Sequence, residues 1–388
     1  MIDFNNTEVA FQMKSGSDLQ QSRLLFSSLR SPSMVKVLQQ LTLAAFKLRL
    51  PITGIIKKTV FRQFCGGESV EDCAGQINRL LEYKVNAILD YSAEGTATEE
   101  DWDKAVEITM KTIDYAVNNP GVPFGVFKPT GLGSEEIYTK ASEGTPLTPQ
   151  EMAEWMTVQG RWQTILEYAD HHGVPVLVDA EDSWYQPAVD ELVLRFMRQY
   201  NKEKAMVYNT SQLYRHDRLA HLERMLALAK EEGFIYAVKT VRGAYMEKER
   251  ERAEEKGYEA PIQPTKEATD RDFDLATTLI INNLDHMSGV IGTHNENSVA
   301  HTAALLKEKG LPVNHDKIWI AQLFGMSDHI SFNAAAYGLN VAKYLPFGPV
   351  KTVMPYLFRR AEENTSVAGQ TGRELSLIHK ELARRSGK

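Results

Sequence analysis

The sequence predicts an α/β protein built on a distorted (βα)8 barrel, a TIM barrel, preceded by a helical arm. Three observations carry this. Eight short runs rich in β-branched and aromatic residues follow one another between residues 85 and 345. They start 37, 52, 31, 29, 55, 28 and 23 residues apart, which leaves room for crossover helices and suits no hairpin. No G-x-G-x-x-G and no G-x-x-x-x-G-K-[ST] announces the open doubly wound sheet that competes with it.

The elements follow in order. The first 80 residues read as helix, with apolar spacing near 3.6 over 19–29, 34–50 and 70–81, broken at Ser31-Pro32-Ser33 and Pro51. Strands are expected over 85–91, 122–128, 174–179, 205–209, 234–241, 289–293, 317–323 and 340–345. The run Val174-Pro175-Val176-Leu177-Val178 is continuously apolar, as a strand buried on both faces should be. Helical patterns between strands, such as 219–232 and 298–309, stop at Gly233 and Gly310. The expected organisation is an arm over 1–80, a barrel over 81–370 and a helical tail over 371–388.

Composition narrows the function. The chain has 388 residues, 43% hydrophobic and 24% charged, which is ordinary for a globular protein. Its 44 basic and 51 acidic residues give a net charge of −7, which argues against nucleic acid as a partner. Two cysteines, Cys65 and Cys73, form neither a disulfide framework nor a usual zinc pair, and imply a reducing compartment. The N-terminus shows neither a signal nor a transit pattern. The most apolar stretch, 35–56, is interrupted by Lys47, Arg49 and Pro51, so it reads as no bilayer span. A cytoplasmic location is expected, with peripheral contact at the inner membrane left open.

A barrel puts its chemistry at strand C-termini. Those ends read Asp90-Tyr91-Ser92-Ala93-Glu94, Lys128, Asp179-Ala180-Glu181, Asn209-Thr210-Ser211-Gln212, Lys239 to Tyr245, Thr293-His294-Asn295, Leu323-Phe324-Gly325-Met326 and Tyr344. Lys128 reads as a Schiff-base lysine, as a permanent cation paired with Asp179, or as a solvated strand-end lysine. His294 reads as a base, a ligand or a cofactor contact; no second His or Cys stands at metal-ligand spacing.

In the last helix of the barrel, Tyr356, Arg359, Arg360 and Glu363 stand at i, i+3, i+4 and i+7, on one face. The helix is expected to start near Thr352, with Pro355 in its first turn. The plain reading is a surface Arg–Glu pair. The functional one is an anion clamp beside a carboxylate, which fits an α-amino acid.

Val241-Arg242-Gly243-Ala244-Tyr245, with Glu249-Arg250, Gly257-Tyr258-Glu259, Pro264-Thr265 and, after Tyr344, Tyr356-Leu357-Phe358-Arg359-Arg360-Ala361-Glu362-Glu363-Asn364, resembles the proline dehydrogenase family. The similarity runs from about residue 61 to 364 and looks closest to its single-function, eukaryotic-like branch. The resemblance implies a distorted barrel capped by its last helix. It implies FAD bound non-covalently at the strand ends, oxidation of L-proline to Δ1-pyrroline-5-carboxylate as the first step of proline catabolism, and a quinone as electron acceptor. It gives catalytic positions to Asp179 and Lys239. Substrate contacts fall to Lys128, Tyr245, Leu323, Tyr344, Arg359, Arg360 and Glu363, with Glu94 as a gate. Flavin contacts fall to Asp179, Ala180, Gln212, Lys239, Val241, Arg242, Gly243, Ala244, Tyr245, Thr293, His294 and Asn295. Lys239 departs from the Arg that many relatives carry; a Lys cannot fork.

In this reading hydride passes to the flavin and carboxylates such as Glu363 and Asp179 stabilise the growing iminium charge. Three other functions stay open: hydroxyproline oxidation, which a bulky Tyr344 opposes; a Schiff-base lyase using Lys128; and an amino-acid sensor. The tail segment 375–385, amphipathic with Lys380, Arg384 and Arg385, reads either as a membrane contact or as an ordinary packed helix.

Overall fold

The structure is a computed structural model of the chain and describes residues 1–29, 32–92, 98–366 and 370–387. Eight strands form one sheet: β1 (Val85–Tyr91), β2 (Gly125–Phe127), β3 (Val176–Val178), β4 (Val207–Gln212), β5 (Tyr236–Val241), β6 (Met287–Gly292), β7 (Ile318–Leu323) and β8 (Val341–Phe347). Their order is β1-β8-β7-β6-β5-β4-β3-β2. The strand pairings among the described residues are parallel, from Val85↔Val341 in β1–β8 to Gly289↔Ile318 in β6–β7. This is the strand arrangement of the expected (βα)8 barrel.

The strand bounds shift for local reasons. β2 begins at Gly125 and not at 122, because Pro123 has no N–H for the ladder. Lys128 therefore leaves the strand and caps a short turn, Pro129–Gly131. β8 runs through Pro346 to Phe347, where the sequence reading stopped at 345: Pro346 stays in register with Asp90, and its carbonyl accepts from Gly66 N–H at 2.8 Å.

The chain divides into two compact units, Met1–Gly95 with Gln322–Lys388, and Thr96–Ala321. The arm and the tail thus belong to the same unit. In the arm, Ser15 caps the helix Gly16–Ser28 and Ser69 caps Val70–Leu81, each in a reciprocal bond with an Asp three residues on. Between them lies an arm helix, Pro32–Lys47. The short helices Thr53–Ile56 and Arg62–Phe64 flank a π-turn, Lys57–Phe61; they lie in the expected helical arm but outside its three periodic spans.

The core of this unit joins Phe26, Val35, Phe61 and Phe64 of the arm to Val353, Tyr356 and Leu357 of the helix Val350–Ser366. Phe26 and Phe64 meet edge to face, centroids 6.3 Å apart. Leu375, Leu377 and Ile378 of the tail helix, Gln370–Arg385, enter the same core, so that helix spends its apolar face on packing. Lys343 of β8 is fully buried; its Nζ contacts Asp328 Oδ1 at 2.9 Å, and Asp328 Oδ2 stands 3.0 Å from Lys14 Nζ. The second unit is built round Trp162, which meets Phe127 edge to face and stacks with Phe196. Among the described residues no helix is long and apolar enough to cross a membrane.

Candidate active site

In the unit Thr96–Ala321 the strand ends gather two ammonium groups round one carboxylate. Asp179 directly follows β3, its N–H held by Phe127 O at 3.0 Å. Lys239 donates from Nζ to Asp179 Oδ1, and Lys128 Nζ stands 3.5 Å from Oδ2. The side chains are 14%, 7% and 15% exposed, so this is a largely desolvated charge cluster. Burying such charges is costly unless they are paired, and here one carboxylate serves two ammonium groups.

The sequence reading paired Asp179 with Lys128; the structure keeps that pair and adds Lys239 as the closer partner. Lys239 reaches from β5 over β4, which presents only Thr210 in register with it. The Thr210 hydroxyl is turned away, donating to Val178 O at 2.7 Å.

Glu181 is the residue the sequence reading left without a role. It is buried and accepts from Thr130 N–H at 2.9 Å and from Thr130 Oγ1 at 2.7 Å. Burial pushes its carboxyl up to about 7, while the Thr130 bonds and the Lys128 charge pull it back. The signal in the sequence was an acid just beyond a wholly apolar strand. The Glu181 carbonyl accepts from Gln212 Nε2 at 2.7 Å. Gln212 Oε1 is buried with no partner among the described residues. A buried carbonyl without a donor suits a ring that presents an N–H, so Gln212 fits a flavin.

The loop after β5 explains its glycine. Gly243 sits at φ 133°, and a Cβ there would lie 2.5 Å from the Tyr214 ring. Tyr214 N–H donates to Arg242 O at 2.7 Å and holds the loop down. Arg242 donates to Asp270 Oδ1 at 2.6 Å, Thr293 Oγ1 at 2.7 Å and Ser298 Oγ at 3.1 Å, with Phe273 under its guanidinium. Asn295 caps the helix Glu296–Glu308 by accepting from Asn297 N–H. Arg242, Thr293 and Asn295 are thus tied into one internal network. Ala180, Tyr245 and His294 are half-buried, and Ala244 is exposed.

In the other unit, Tyr344 lies on β8 level with Ile88 and is 7% exposed. Leu323 ends β7 and packs on the arm core. The helix carrying the arginines starts at Val350, earlier than expected, because Pro349 closes its first turn through Thr352 and Val353 N–H. Pro355 therefore lies inside the helix and not in its first turn. Arg360 is buried, its guanidinium 5.0 Å from the Tyr356 ring centroid; Arg359 is half-buried. Glu94 and the side chain of Glu363 lie outside the described residues.

A family model described as proline dehydrogenase matches residues 73–373. The carbapenem antibiotics biosynthesis protein CarD of Pectobacterium carotovorum subsp. carotovorum is 36% identical over 324 residues, 83% of either chain. Human proline dehydrogenase 1, mitochondrial, is 39% identical over 295 residues, 75% of this chain and 47% of the human one, so the chain spans less than half that relative's length. A hydroxyproline dehydrogenase of Xenopus laevis is 30% identical over 97% of this chain and 88% of its own. Among solved structures, proline utilization A (PutA) from Bdellovibrio bacteriovorus superposes with a TM-score of 0.72 at 19% identity, over 94% of this chain and 37% of that one; this likeness concerns the fold. The family match over residues 73–373, together with the curated proline dehydrogenase, shows that the chain belongs to the proline dehydrogenase family of oxidoreductases.

Proposed function

We propose that this protein oxidises L-proline to Δ1-pyrroline-5-carboxylate with FAD, and passes the electrons to a quinone at a membrane surface. The observation that carries the reading is Asp179 held between Lys239 and Lys128, beside the unpartnered carbonyl of Gln212. Gln212, Lys239 and the 241–245 loop would hold the flavin, with Thr293, His294 and Asn295 beside them. When bound, the flavin supplies a hydride acceptor for the substrate ring.

The chain's own groups bind and orient. Arg359 and Arg360 would take the substrate carboxylate, since paired guanidinium groups match its two oxygens. Oxidation leaves positive charge on the ring nitrogen, which carboxylates such as Asp179 and Glu363 would stabilise. Lys239 and Lys128 fix the position of the Asp179 carboxylate for that task. Tyr344 and Leu323 would pack against the ring, Tyr245 would wall it, and Glu94 would gate entry.

The test is an anaerobic titration of the purified protein. L-proline should bleach the visible flavin absorbance, and a soluble quinone should restore it. A colourless protein, or a yellow one that proline leaves unchanged, refutes the reading. The likeness to a hydroxyproline dehydrogenase supports a second substrate. The buried Tyr344 favours the unsubstituted ring, because a 4-hydroxyl needs space that its phenol fills.

A further inference from the structure

The arm combines charge and apolarity in a way that does not suit free solution. Residues 31–67 contain no Asp or Glu but hold Lys36, Lys47, Arg49, Lys57, Lys58 and Arg62, in a chain whose net charge is −7. The arm helix buries one face, through Val35 and Phe46, in the core it shares with the arginine helix. Gln39 Nε2 donates to Glu362 Oε1 of that helix at 2.9 Å. A second face is also apolar. Met34, Val37, Leu38, Leu41 and Leu48 recur at helical spacing and are 49%, 50%, 44%, 62% and 70% exposed. Leu50 and Ile55 extend the patch at 50% and 66%. A helix apolar on two faces calls for two partners, and nothing described in the chain covers the outer face.

We infer that this outer face of the arm is the docking surface for an anionic lipid bilayer. The charges select the partner. Arg62 pairs with Asp18 and Lys57 with Glu68, whereas Lys36, Lys47, Arg49 and Lys58 have no carboxylate partner among the described residues. Lys36 and Lys47, eleven residues apart, share one flank of the helix, where long ammonium side chains reach lipid headgroups while the leucines enter the acyl boundary. At 16 residues the helix is too short to span a bilayer, so it lies in the interface. A second copy of the chain would set these uncompensated cations against their own kind, which an isologous interface penalises. The tail helix, whose apolar face is packed in the core, offers no comparable surface. The segment precedes the family match at residues 73–373, so the surface belongs to this chain's arm and stands without the quinone reading.

The test is vesicle flotation in the absence of substrate, so that a failure of the proline or quinone reading leaves the result intact. The protein should float with phosphatidylcholine vesicles containing about 30% phosphatidylglycerol and not with phosphatidylcholine alone. Raising salt from about 0.05 to 0.5 M should release it. Leu41→Glu with Leu48→Glu should weaken binding roughly tenfold or more, and Lys36→Gln with Lys47→Gln should weaken it on the charged vesicles; circular dichroism should be unchanged, as these side chains are exposed. Lys380→Gln in the tail should bind as wild type does. No flotation of the wild type, or flotation that both double variants retain, overturns the inference. So does a wild-type dimer in sedimentation velocity that Leu41→Glu with Leu48→Glu converts to monomer, since a second copy would then own the face.

Discussion

Lys239 and Asp179 sit two strands apart, and the lysine stem crosses β4 above Thr210 to reach the carboxylate. The ion pair therefore fastens β3 to β5 at the level where catalysis is proposed. Lys239→Met should strip Asp179 of its closer partner and cost about 3 kcal/mol of stability, the low end for a broken buried pair. The variant should also lose flavin, read as the ratio of visible to ultraviolet absorbance. Lys128→Met, which removes the farther cation, should lower kcat and keep the flavin. In the lyase reading borohydride with proline would attach substrate mass to Lys128; the proposed function expects no adduct.

Arg359→Met and Arg360→Met should each raise KM for proline at least tenfold, because a charge-assisted contact is worth roughly 1.5–3 kcal/mol. Arg360→Lys separates charge from shape. It keeps the cation but loses the planar group lying over Tyr356, so KM should still rise. Unchanged steady-state kinetics in both methionine variants would remove this helix from the substrate.

Tyr344→Ser should raise the ratio of kcat/KM for 4-hydroxyproline to that for proline, chiefly by loss on proline. Competitive rates on the two substrates measure it. A ratio that stays put means the phenol faces away from the ring carbons.

Glu181 should leave a mark on the pH dependence of stability. Its carboxyl is raised to about 7 in the folded chain from an ordinary value of 4.5, so the folded state holds the proton more tightly than the unfolded state. Its contribution favours folding at low pH and is lost as pH rises from about 4.5 through 7. Glu181→Gln removes that penalty. Relative to wild type the variant should gain up to about 3 kcal/mol on going from pH 4.5 to pH 8. Urea unfolding of both proteins at the two pH values checks it, and parallel curves would show that Glu181 keeps an ordinary pKa.

Gly243→Ala should fold poorly or lose its cofactor. Its Cβ would meet the buried Tyr214 ring, and its φ suits a residue without a side chain. Gly243→Ala with Tyr214→Leu should recover soluble, yellow protein if the collision is the cause.

The barrel was legible because buried parallel strands leave continuous apolar runs at crossover spacing, as 174–178 does. Strand ends were legible less well where proline intervened: Pro123 shortened β2, and Pro346, read as a stop, sits within β8. Asp179 stood out as an acid closing an apolar strand, and Lys128 as its neighbour. Lys239 as the nearer partner did not stand out, since the contact crosses an intervening strand and depends on the small Thr210. Glu181 escaped for a similar reason: its perturbation comes from burial against Thr130, 51 residues away in sequence. The helices between 53 and 64 fall outside the periodic spans of the arm because proline, glycine and β-branched residues obscure their period.

The shared core of arm and arginine helix has a thermodynamic corollary. Val35 and Phe61 pack with Val353, Tyr356 and Leu357, so the arm's docked state and the helix's binding-competent state are stabilised by the same contacts. Two equilibria that share contacts are linked, and linkage is reciprocal. A ligand drawing on Arg359 and Arg360 would protect the arm's amide hydrogens from exchange, and loosening Val35 would weaken that ligand by the same free energy, though the valine never touches it.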